Sequence, residues 1–167
     1  MNILTSQGLH ARLVAHDIDT EGWGIGSHRS FDDLLAELAS GEASLIDQEG
    51  RLVYWSRRTE VRVIGAFGDE IHVLARPIKG RVAKGDAGPA EAAERSVRQA
   101  LQIPSGAEVA LFQDRLREPP ADGPSRDYPG LWSAGEHHLF LCFISRALFE
   151  SLRPHHAWEA ISVSAAG

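Results

Sequence analysis

Cysteine is almost missing from this chain: Cys142 is the single thiol in 167 residues. One thiol closes no internal disulfide and builds no cysteine-based zinc site, so the expected setting is a reducing, cytoplasmic one. Long apolar runs are missing as well. The longest strongly apolar stretch, Leu139 to Ile144, falls far short of the ~20 residues that cross a bilayer. The opening MNILTSQGLHARLVAH carries no hydrophobic signal core. Positive charge is in deficit. With 17 Lys and Arg against 23 Asp and Glu, the net charge is −6. That opposes a broad grip on nucleic acid or an anionic membrane and leaves room only for a local basic patch. No period repeats, which sets solenoids and propellers aside. What is present, 43% hydrophobic and 24% charged residues, is the balance of an ordinary water-soluble globular chain, of a length that suits one core.

Local patterns then suggest an order of elements. Leu9 to Ile18 reads as an extended segment. Gly22-Trp23-Gly24-Ile25-Gly26 reads as a structural turn, because no Lys-Ser/Thr follows to make a phosphate loop. In SFDDLLAELASG, Ser30 and Asp33 have capping-box spacing, Phe31, Leu34, Leu35 and Leu38 share a face, and Gly41 supplies a stop, which predicts a short amphipathic helix. Two hairpins follow, Ala43 to Ile46 with Arg51 to Trp55, and Val61 to Ala66 with Ile71 to Ala75. KGRVAKGDAG reads as a glycine-punctuated loop. It leads into the helical PAEAAERSVRQALQI, with Pro89 in the first turn, Ala93, Val97, Ala100 and Leu101 on one apolar face, and Pro104-Ser105-Gly106 ending it. Val109 to Phe112 is a strand, EPPADGPSRDYPG the centre of a long loop, and His138 to Ile144 a buried strand. A short helix near Ala147 to Leu152 and an extended piece around Trp158 to Val163 complete the order.

Few residues carry chemistry on their own. Glu91 with Arg95, and Glu94 with Arg98, are acid-before-base pairs one helical turn apart and read as a solvated face. Lys79, Arg81 and Lys84 sit among Gly80 and Gly85 on the approach to a helix N-terminus, where cations and free backbone N–H groups make an anion site without a metal. His137-His138 and His155-His156 are adjacent pairs, so in extended chain each pair points to opposite faces and chelates nothing together. Cys142 reads as a small buried hydrophobe. Trp132, in the long loop beside Tyr128, offers a flat ring for stacking.

The sequence of strand, strand, glycine loop, helix, strand, long loop and strand, with LARPIKGRVAKGDAGPAEAAERSVRQALQI at its centre, resembles the Nudix (MutT-like) superfamily of nucleoside-diphosphate-linked hydrolases. The resemblance runs from Arg58 to Val163. It implies an α/β/α sandwich with a mixed β-sheet in residues 58–167, and leaves residues 1–57 as an N-terminal strand-helix-strand extension packed on that core. The family's box is a glycine, five residues, a glutamate, seven residues, then R-E-U-x-E-E-x-G-U, with U aliphatic. Gly80 matches the first glycine and Asp86 stands at the first glutamate. Arg95 matches the arginine with one residue inserted near Gly88, and Val97 and Ile103 match aliphatic positions. Ser96, Gln99 and Ala100 occupy the three later glutamate positions, and Gln102 that of the second glycine.

Those positions take carboxylates because a Mg²⁺ on a diphosphate is a hard cation that needs charged oxygen ligands to offset its lost water. A hydroxyl, an amide and a methyl do not supply that charge. Without the ion the attacking water and the leaving phosphate lose their Lewis acid. The first reading is therefore a Nudix-fold module with a degenerate active site, without cofactor or metal ligands. It would bind a small phosphorylated or nucleotide-like ligand through Lys79, Gly80, Arg81, Lys84, Arg95, Gln99 and Trp132. The second is a working hydrolase that holds Mg²⁺ or Mn²⁺ with a displaced set of catalytic acids, Asp86, Glu118 and Glu136. The third is an interaction or assembly module, including a homo-oligomer, with a vestigial pocket and contacts made by the N-terminal extension.

Overall fold

The computed structural model describes residues 5–117 and 123–162. The α/β class is found: the described residues form four α-helices and an open mixed sheet of eight strands. No helix among them is long and apolar enough to cross a membrane. The chain divides into two compact units, one made of residues 1–57, 82–85 and 118–136, the other of 58–81, 86–117 and 137–167. Each has its own apolar cluster, in place of the one core suggested by chain length.

The first unit begins with helix α1, Ser6–Ala15, where an extended segment and a strand-first extension were expected. Leu9 and Leu13, both buried, are four apart, a spacing that fits one face of a strand as well as one face of a helix. The cap decides between them: the Thr5 hydroxyl accepts from the Gly8 N–H at 3.0 Å. Helix α2, Phe31–Ser40, has the expected capping box, with Asp33 N–H donating to Ser30 Oγ at 3.1 Å and Ser30 N–H to Asp33 Oδ2 at 2.9 Å. These bonds hold the Asp33 carboxyl below its ordinary range. Gly41 ends α2 at φ 77°, a left-handed conformation that glycine adopts without a Cβ penalty.

Strand β1, Ala43–Gln48, joins β2, Arg51–Phe67, through Glu49 and Gly50, both at positive φ as a two-residue hairpin turn of the primed type requires. The two strands expected at 51–55 and 61–66 are one strand. The polar stretch between them holds no glycine or proline to break the ladder, and Ser56 and Thr59 are both buried within it. The rest of the sheet comprises β3 (Glu70–Leu74), β4 (Ile78–Arg81), β5 (Val109–Arg117), β6 (Gly123–Pro124), β7 (Trp132–Ile144) and β8 (Trp158–Ser162). Its order is β5-β7-β2-β3-β8, with β1 and β4 also paired to β2 and β6 to β7.

In the first unit the apolar cluster closes around a carboxylate. Glu37 lies on the inner face of α2 and is 6% exposed, more buried than its neighbours Phe31, Leu35 and Leu38. Its Oε1 accepts from the Tyr128 hydroxyl at 2.8 Å and pairs with Arg29, and its Oε2 accepts from the Tyr54 hydroxyl. The Tyr128 ring packs 5.2 Å from Trp23 and 5.4 Å from Tyr54. Burial, with the Glu37 carboxylate, pushes the Tyr128 phenol far above its usual range. The second unit packs α3 (Pro89–Leu101) and α4 (Arg146–Leu152) with its part of the sheet around Val61, Val63, Val97, Phe140 and Phe149. Cys142 belongs to this cluster, and burial pushes its thiol up to about 11, which keeps it protonated and unreactive at neutral pH.

Candidate functional site

In the second unit, β4 runs antiparallel to β2 with Thr59 opposite Gly80 and Glu60 opposite Lys79. The segment read as a loop from Lys79 onward is therefore strand as far as Arg81. Gly80 is small for a steric reason. A Cβ there would lie 2.1 Å from Ser96 Oγ and 3.0 Å from both Ser96 Cβ and Thr59 Oγ1, so β4 and α3 approach this closely only through a glycine. Thr59 is 1% exposed and its hydroxyl finds no partner among the described residues.

The turn into α3 is fixed by charge. Asp86, its side chain 4% exposed, forms an ion pair with Arg95, and Arg95 also donates to the Arg81 carbonyl at 3.2 Å. The pairing ties the chain before the helix to its second turn. Glu91, expected to meet Arg95, accepts from the Ala87 N–H at 2.8 Å, which occupies a free donor at the helix start. The Glu94–Arg98 pair does form, at 3.5 Å. On α3 the buried residues are Ala92, Ala93, Val97 and Leu101, whereas Ala100, expected on the apolar face, is exposed. Ser96 is half-buried and Gln99 exposed. The helix stops at Gln102, which takes the left-handed conformation at φ 54°, before the Pro104-Ser105-Gly106 stretch expected to end it.

No family model matches this chain, and no curated protein does. Its chemistry is therefore read from the residues. Ser96, Gln99 and Ala100 converge on one side of α3 as their spacing dictates, and they present a hydroxyl, an amide and a methyl. Among the described residues no group of three or more His, Cys, Asp or Glu stands close enough to hold a metal ion. The donor set suits an anion or a neutral polar ligand and does not fit a hard divalent cation.

The proposed site residues are not all together. Lys79, Gly80, Arg81, Asp86, Arg95 and Gln99 lie in the second unit, while Lys84, Trp132 and Glu136 lie in the first. Glu136 is exposed on β7, and Glu118 lies outside the described residues. Trp132 is a strand residue and not a loop residue; the Arg51 guanidinium sits 3.9 Å from its ring centroid and covers one face. His138 is buried and its Nδ1 lies 3.2 Å from Gln113 Nε2. Sequence reasoning missed Thr59, Trp55 and Arg57. The last two line a cavity of the first unit together with Lys84. The alternation of RLVYWSRR, which sends Trp55 and Arg57 to one face of a strand, is the signal that could have found them.

Proposed function

We propose that this chain is a Nudix-like module that binds a nucleotide-like or diphosphate-containing ligand and does not perform metal-dependent pyrophosphohydrolysis. The observation that carries the reading is the seating of Gly80 against Ser96. Their contact puts the first glycine of the box beside the helical position where the family has a glutamate, which supports the alignment from which the loss of acids is inferred. Gln102 supports the same register. It adopts a backbone conformation favoured by glycine at the position where the family has one.

In that register the residues do not fit Mg²⁺. Ser96, Gln99 and Ala100 bring no charge, and Asp86, which stands at the first glutamate, is engaged with Arg95. The same ion pair links the start of the 86–95 segment to its end. Lys79, exposed on β4, supplies positive charge in the same unit.

The test is an incubation with a panel of nucleoside-diphosphate-linked compounds, with Mg²⁺ or Mn²⁺ and with EDTA. Nucleotide release and the unfolding midpoint are followed together. The expected result is ligand-dependent stabilisation that EDTA leaves intact, with no release. Metal-dependent turnover lost in Asp86→Asn or Glu136→Gln would replace this reading with that of a hydrolase using displaced acids.

A further inference from the structure

The first unit contains a hollow of about 200 Å³ lined by Gly41, Ser44, Trp55, Arg57, Val82 and Lys84, with Glu42 at its wall. Its construction follows from the chain. Trp55 and Arg57 are two apart on β2 and project to one face, and Ser44 stands opposite Trp55 in the β1–β2 register. After β4 the chain continues alongside β2, with the Val82 N–H donating to the Arg57 carbonyl at 2.9 Å. Lys84 can then lie against the end of α2 because Gly41 has no side chain: a Cβ on Gly41 would fall 2.3 Å from Lys84 Cβ.

Two features of this hollow point to a ligand, and its volume limits the size. Neither Arg57 nor Lys84 forms an ion pair among the described residues, although Glu42 lines the same wall. Two cations against the single carboxylate of Glu42 leave the lining with a net positive charge, which an anion offsets. Trp55, a half-buried indole, is not part of the apolar cluster of its unit and leaves a flat surface beside the cations. The volume is below the usual ~300–1,000 Å³ of small-molecule sites, so it suits part of a ligand, a ring with one charged group.

We infer that this hollow binds a nucleoside monophosphate unit, its base against the Trp55 ring and its phosphate between Arg57 and Lys84. Glu42 and Ser44 offer acceptors to the hydroxyl and amino groups of the nucleoside. The inference deepens the proposed nucleotide-binding function and rests on it for the choice of a nucleotide over other ringed anions.

The experiment is titration calorimetry of the full chain with AMP, adenosine and inorganic phosphate at fixed ionic strength. AMP is expected to bind at least tenfold more tightly than either fragment. In Trp55→Ala the affinity for AMP and adenosine falls at least tenfold and that for phosphate does not change, and Trp55→Phe restores part of the loss. Arg57→Ala with Lys84→Ala lowers the affinity for AMP and phosphate by a similar factor. Lys84→Glu, a change at an exposed position, serves the same purpose should the double variant fail to fold. AMP affinity that is unchanged in these variants overturns the inference, as does the absence of AMP binding by the unaltered chain. ADP-ribose separates the two claims. If it still stabilises the chain while AMP is indifferent to the hollow, only the hollow is wrong; if neither compound binds, both readings fall.

Discussion

Replacing Glu37 with alanine tests whether the polar centre of the first unit is structural. Its two carboxylate oxygens accept hydrogen bonds from the hydroxyls of Tyr54 and Tyr128, both buried, and pair with Arg29, whose side chain is 42% exposed. Truncation leaves two buried phenols without this acceptor, at about 1–3 kcal/mol each. The Arg29 contribution is discounted to below ~1 kcal/mol because water screens that side of the pair. The expected loss is about 3–5 kcal/mol, in the range for a broken buried network. At about 2–4 °C per kcal/mol for a chain of this size, the melting point should fall by about 10 °C. Glu37→Gln keeps the volume and one acceptor and should cost about half as much. Urea unfolding followed by circular dichroism and tryptophan fluorescence gives the energies. A double-mutant cycle with Tyr128→Phe isolates the coupling. Glu37→Ala within about 1 kcal/mol of the parent, or a Tyr128→Phe cost that is equal in both backgrounds, would refute the reasoning.

Gly80→Ala should destabilise by about 1–3 kcal/mol through overpacking against Ser96, and by less in a Ser96→Ala background, as measured by equilibrium unfolding. Gln102→Gly should stabilise by about 0.5–1 kcal/mol, since φ 54° costs glycine nothing; a lowered denaturation midpoint would contradict it. Raising the pH should weaken the fold in a way that depends on Tyr128. Its folded pKa is raised above the ordinary 10.0, so its contribution is fully present below pH 10 and is lost as pH climbs from there toward the folded value. Denaturation midpoints measured from about pH 9 upward should therefore fall less steeply in Tyr128→Phe.

Helix α2 is legible in the sequence because its signals are local: Ser30, Asp33 and Gly41 act within a turn of the residues they stop or start. The same holds for Pro89 at the head of α3 and for the Glu49-Gly50 turn. Signals that depend on distant partners are not legible. Nothing near Glu37 in the sequence marks it as buried; the hydroxyls of Tyr54 and Tyr128, 17 and 91 residues away, make its site. Asp86 and Arg95 are nine apart, and the intervening turn, not helical spacing, makes them meet. The hollow is likewise assembled from the end of α2, two strands and the stretch after β4. Its residues share no motif, and only the alternation along β2 foreshadows it.

At one end of the sheet order, β5 pairs with β7 on one side and with no other strand among the described residues. The ladder is regular from Val109 to Gln113, skips Asp114, whose exposed carboxylate marks the irregularity, and resumes from Arg115 to Arg117. A foreign strand laid along that border meets a short straight run and then a bend bearing charge. Phe112, 57% exposed beside Phe143, lies on the regular run just before that bend, so the interruption shortens the apolar border open to edge-to-edge pairing.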